Sequence, residues 1–109
     1  MHVTVAGEGT IRLVGRLDAR AAADVREALH AELAARRRRV VVDLGGVELL
    51  DVTGLGVLVG AHRRGQQQGT ELVLRDAPPR VARLLSRIRL DRVIPVERLI
   101  PVERRSVPA

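Results

Sequence analysis

The chain has 109 residues and pairs 19 arginines with 13 acidic residues for a net charge of +6; it contains no Lys, Cys, Phe, Tyr or Trp. That length suits one domain with one core. Lack of Cys excludes a disulfide framework, a Cys-ligated zinc site and a thiol nucleophile, and lack of aromatics removes base-stacking platforms and aromatic ligand cages. No apolar run approaches the roughly 20 residues that span a bilayer, and the N-terminus has no basic-then-apolar leader, so the expectation is a soluble cytoplasmic protein without membrane insertion.

Val3 and Val5 alternate with polar neighbours, and Ile11 and Leu13 follow Gly7-Glu8-Gly9. Two short strands joined by a glycine-rich turn read as a hairpin. Residues 19–35 place Ala22, Val25, Leu29 and Leu33 on one stripe, which predicts an amphipathic helix with Asp18 positioned to cap it. Residues 40–44 form a nearly continuous β-branched run, suited to a strand covered on both faces, and Gly45-Gly46 is expected to end it. The spacing of Leu55, Leu58, Val59 and His62 predicts a helix over 53–68, closed by Gly69. Its glycines at 54, 56, 60 and 65 are costly there, and close approach of something to the helix start explains the early ones.

Leu72-Val73-Leu74 reads as another buried strand. Asp76-Ala77-Pro78-Pro79 then signals a helix whose apolar stripe is Val81, Leu84, Leu85 and Ile88, and Val93-Ile94 is expected as a last short strand. The order β-β-α-β-α-β-α-β with right-handed crossovers gives an α/β domain, a mixed β-sheet packed against helices. Residues 1–98 are expected to form it, with 99–109 a flexible C-terminal tail. The segment Ile94-Pro95-Val96-Glu97-Arg98 recurs at residues 100–104, which reads as a local duplication.

No enzyme chemistry assembles from these residues. His2, His30 and His62 fall in three elements without a second ligand at metal spacing, so neither a metal site nor a cofactor is expected. Gly54 to Gly60 resembles a dinucleotide glycine fingerprint, but the expected strand end at Leu44 is too distant and the glycines fall inside the helix. Ser86 and Ser106 are the only serines, and neither lies in a nucleophile elbow. Arg36 to Arg39 is the densest basic cluster and the one candidate for nucleic acid; its position near the end of the first helix and the acidic residues interleaved elsewhere argue against that partner. What remains is Asp51-Val52-Thr53-Gly54-Leu55-Gly56, an acid and a hydroxyl at a glycine-containing helix start. It can hold an anion or a partner, or Asp51 or Thr53 can simply cap the helix.

The segment 40–74 resembles the core of the STAS domain, the family of anti-sigma factor antagonists. The resemblance rests on Val41-Val42-Asp43-Leu44, Val47, Leu49-Leu50, the Asp51 to Gly56 run, Gly69 and Leu72-Val73-Leu74, in order and at the expected spacing. Upstream, Gly15-Arg16-Leu17-Asp18 matches the approach to the family's first helix; downstream, residues 90–96 resemble its closing segment. The resemblance implies a partner-switching protein that binds an anti-sigma factor with a serine-kinase fold and so releases a sigma factor. It implies a partner surface at Asp18, Asp51, Val52, Thr53, Gly54, Leu55 and Gly56. In the family, the kinase phosphorylates the hydroxyl residue directly after the motif Asp. Here that residue is Val52, so phosphorylation control is lost or altered, with Thr53 the weaker alternative acceptor. The alternative role is a non-phosphorylated STAS adaptor or scaffold subunit, for example in a lipid-transport complex.

Overall fold

The computed structural model describes residues 1–98. They form strands β1 (His2–Val5) and β2 (Thr10–Leu17), helix α1 (Ala22–Ala34), strand β3 (Arg39–Leu50), helix α2 (Val52–Gln68), strand β4 (Glu71–Arg75), helix α3 (Pro79–Arg87), a 3-10 turn (Leu90–Arg92) and strand β5 (Val96–Glu97). The sheet order is β1-β2-β3-β4-β5, with the first pair antiparallel and the others parallel. Strand order thus follows chain order. Right-handed crossovers in one direction put all three helices on the same sheet face. The α/β domain with a mixed sheet is as expected.

The core lies between that face and the helices. Ile11, Leu13 and Leu17 of β2 point into it with Val42 and Leu74, meeting Leu29 of α1, Leu58 of α2 and Leu85 of α3; all eight are buried. Among the described residues the opposite face carries no helix and is built from charge. Arg12, Asp43, Arg75 and Glu97 are register partners across four strands, so their side chains form one row of alternating sign. Arg12 donates to Asp43 at 3.2 Å and Arg75 to Glu97 at 2.7 Å. Arg39, paired with Glu71 in register, reaches both Glu71 and Glu97. Between these rows Val41 and Val73 are buried. The Arg75 and Arg39 hydrogen bonds hold the Glu97 carboxyl below its ordinary range against the opposing effect of burial.

Four sequence expectations need correction. Helix α1 starts at Ala22, and its N-cap is Ala21 with no side-chain hydrogen bond. Asp18 does not cap it; its Oδ1 accepts from the amides of Arg20 and Ala21 at 3.1 and 3.3 Å, closing the turn that precedes the helix. Gly45-Gly46 does not end β3, which continues to Leu50. Eight-residue β2 still offers hydrogen bonds beyond the glycines, and the register shift between Arg12 and Val14 adds a residue to β3 there. A Cβ at Gly46 would lie 2.8 Å from Val14 Cγ2, so glycine admits that approach. The strand therefore ends immediately before α2, not near Leu44, and α2 begins at Val52 rather than Thr53. The glycines from Gly54 onward remain inside the helix. Finally, β5 is Val96–Glu97. Val93 and Ile94 donate back to Leu90 at 2.9 Å, so the chain reaches the edge of β4 only at Pro95, whose carbonyl accepts from Leu74. The expected tail at 99–109 and the second repeat copy at 100–104 lie outside the described residues.

Candidate partner-binding site

Parallel strands β2 and β3 end side by side, with Leu17 opposite Leu50. Asp18 and Asp51 each follow by one residue, which brings the two acids to the same sheet end, where open α/β sheets present their sites. The amide of Asp51 donates to the carbonyl of Leu17 at 3.3 Å, tying the start of α2 to the end of β2.

Asp51 is the N-cap of α2: its extended backbone ends the strand, and its Oδ1 accepts from the Gly54 amide at 2.8 Å. The carboxylate also suits the positive end of the helix dipole. Val52 follows at the first helical position and is 84% exposed, an extreme value for an apolar side chain. Thr53 is exposed beside it and Leu55 is half-buried against the core.

The two early glycines divide by role. Gly54 is buried, and a Cβ there would meet the Leu17 carbonyl oxygen at 2.3 Å and Leu50 Cδ1 at 2.9 Å. Its small size serves contacts inside the domain, so Gly54 presents no surface. Gly56 is exposed, and a Cβ there would meet nothing within 4 Å. The helix closes at Gly69, in the left-handed conformation with φ of 81° that favours glycine.

Of the other candidates, His2, His30 and His62 lie on β1, α1 and α2. Burial, then Arg64 and Arg26, push the His30 imidazole below its ordinary value, favouring the neutral form. Among the described residues, no group of three or more His, Cys, Asp or Glu could hold a metal. The 36–39 cluster is partly neutralised: Arg37 pairs with Glu32, and Arg39 with Glu71 and Glu97. No described helix is long and apolar enough to cross a membrane.

Sequence reasoning missed a groove between the end of β3 and α3, lined by Leu49, Leu50, Val81 and Leu84 with Arg80, Arg83 and Arg87 and a single acid, Glu48. No spacing links residues 48–50 to 80–87, so only the crossover connects them. The arginine periodicity of 79–92 was the available signal.

The family model described as "Mlab, STAS domain" matches residues 1–101. An anti-sigma F factor antagonist of Paenibacillus polymyxa is 31% identical over 87 residues, covering 79% of this chain and 74% of that protein. An anti-sigma-B factor antagonist of Listeria monocytogenes is 36% identical over 87 residues, covering 80% of this chain and 76% of that protein. In structure, an anti-sigma factor antagonist of Mycobacterium paratuberculosis superposes with a TM-score of 0.72 at 24% identity, over 94% of this chain and 86% of that one. Motif, sheet order and relatives agree: the chain belongs to the STAS domain family, of the anti-sigma factor antagonist type.

Proposed function

We propose that the chain is a cytoplasmic partner-switching protein that binds an anti-sigma factor with a serine-kinase fold and thereby releases a sigma factor. It acts by binding and carries out no catalysis. The surface is the end of β2 and the start of α2: Asp18 and Asp51 at its acidic side, Val52 and Thr53 at its centre, Leu55 and Gly56 beyond. Gly54 supports this surface from beneath.

The observation that carries the reading is Val52 at the first helical position, 84% exposed, directly after the capping Asp51. An apolar side chain held in water at a helix start is suited to burial by a partner. It also has no hydroxyl, so the phosphate that would add about two negative charges and split such an interface cannot be placed there. Binding is then constitutive. Thr53 is a poor substitute acceptor, because a shift of one helical residue turns the side chain by about 100°.

A second reading is favoured by the same valine together with the matched family description: a non-phosphorylated adaptor subunit, for example in a lipid-transport complex. Affinity capture with the tagged chain from its native cell separates the two. Recovery of an ATP-binding anti-sigma factor, lost with Gly56→Trp, supports the antagonist. Recovery of transporter subunits by the wild type, with no kinase-fold protein, overturns it in favour of the adaptor.

A further inference from the structure

Positive charge gathers in two stretches, residues 36–39 and residues 79–92, and Glu32, Glu71 and Glu97 partly neutralise the first. Residues 79–92 contain five arginines and a single aspartate, so this short stretch holds four of the six net positive charges. Among the described residues, none of Arg80, Arg83, Arg87, Arg89 and Arg92 pairs with a carboxylate, whereas Arg12, Arg39 and Arg75 on the sheet all do. Three of the unpaired cations rim the groove between β3 and α3, a cavity of about 340 Å³ floored by Leu49, Leu50, Val81 and Leu84, with Glu48 the single acid in its lining, so three positive charges there face one negative. Leu49 is 37% exposed there, and Ile88 at the end of α3 is 46% exposed.

We infer that this groove docks an acidic amphipathic helical segment of another protein, its apolar stripe on Leu49 and Leu84 and its carboxylates along Arg80, Arg83 and Arg87. Positions 80, 83 and 87 recur at helical spacing, so the three guanidiniums form one cationic ridge, and a facing helix can offer carboxylates at the same spacing. Arg suits that task because its planar fork binds a carboxylate through two hydrogen bonds. A nucleic acid backbone would satisfy the arginines but leave the leucine floor uncovered, and the chain has no aromatic residue for stacking. A membrane surface is flat where this site is concave. Residues 99–109, with two arginines and one glutamate, have the wrong sign to fill it. The inference does not depend on which partner covers α2, although Leu50 leads directly into Asp51 and a single partner can span both surfaces.

The test is fluorescence anisotropy of the full chain with a labelled peptide of helical Glu/Leu pattern, and with the same peptide carrying Ala for Leu. Arg83→Glu/Arg87→Glu should weaken binding about tenfold. Arg36→Glu/Arg38→Glu, which changes net charge equally at a distant exposed site, should change it by less than about twofold at moderate salt. Leu49→Gln, with its fold checked by far-ultraviolet circular dichroism, should also weaken binding, while the Ala peptide should bind poorly. The inference is overturned by equal loss in both double variants, by equal binding of the two peptides, or by duplex DNA or phosphatidylglycerol vesicles outcompeting the Glu/Leu peptide.

Discussion

Gly54 and Gly56 sit two residues apart on one helix, and replacing each with Ala should move stability in opposite directions. Both substitutions gain helix propensity, about 0.8–1 kcal/mol. At Gly56 nothing opposes the gain, since the new methyl meets no atom within 4 Å. At Gly54 the methyl would lie 2.3 Å from the Leu17 carbonyl oxygen and 2.8 Å from Leu17 Cγ. The oxygen belongs to backbone bonded to the Asp51 amide and cannot swing aside as a side-chain tip would. Overpacking of this kind costs about 3 kcal/mol, at the upper end of the usual range. Net destabilisation is then about 2 kcal/mol after the propensity gain. With no aromatic residue to report by fluorescence, the assay is urea denaturation followed by far-ultraviolet circular dichroism. Gly54→Ala should lower the midpoint by about 1 M at unchanged slope, and Gly56→Ala should raise it by a few tenths. A Gly54→Ala protein as stable as wild type would refute the close approach of β2 to the helix start.

Thr70→Val should cost about 1–2 kcal/mol in the same assay, because buried Thr70 donates to the Arg37 carbonyl at 2.7 Å and accepts from Gln68, leaving both partners short of a bond. Glu97 has a depressed folded pKa, so its contribution is present above the ordinary glutamate value and is lost as pH falls through the folded one. Wild type should therefore exceed Glu97→Gln in thermal stability at pH 6, with the gap closing below about pH 4; a gap independent of pH would contradict the ion-pair row. Val52→Ser should create a phosphate acceptor for a kinase-fold partner with ATP, read by mass shift; no transfer with a captured kinase would remove this helix start from the kinase's reach.

Local periodicity was legible in the sequence wherever packing agrees with it. Val81 and Leu85 are buried as the stripe of α3 requires, and Gly69 ends α2. Where a residue serves two grammars, the sequence misled. Gly45-Gly46 looks like a terminator but accommodates a bulge against β2, and that partner lies some thirty residues upstream. Asp18 has the chemistry of a cap and forms a turn instead, because the backbone needs three more residues to leave the sheet and enter α1. Gly54 and Gly56 are identical in sequence and opposite in surroundings, a distinction that exists only once β2 and β3 lie beneath the helix. The cap of α2 was half legible: the sequence left it to Asp51 or Thr53, and the extended backbone of Asp51 at the end of β3 decides for Asp51.

Because the strands occur in the sheet in the order of synthesis, each new strand after the first finds its neighbour already made. A chain emerging from the ribosome can close the β1–β2 hairpin, then add β3, β4 and β5 with their helices one unit at a time, never waiting for a distant C-terminal strand to fill a gap in the middle. Nearest-neighbour pairing keeps the loops to be closed short, which favours fast folding for a sheet that is largely parallel. The open edge of the sheet moves outward with each addition. Among the described residues that moving edge is β5, a strand of two residues, and a very short edge strand offers little for another molecule's edge to pair with.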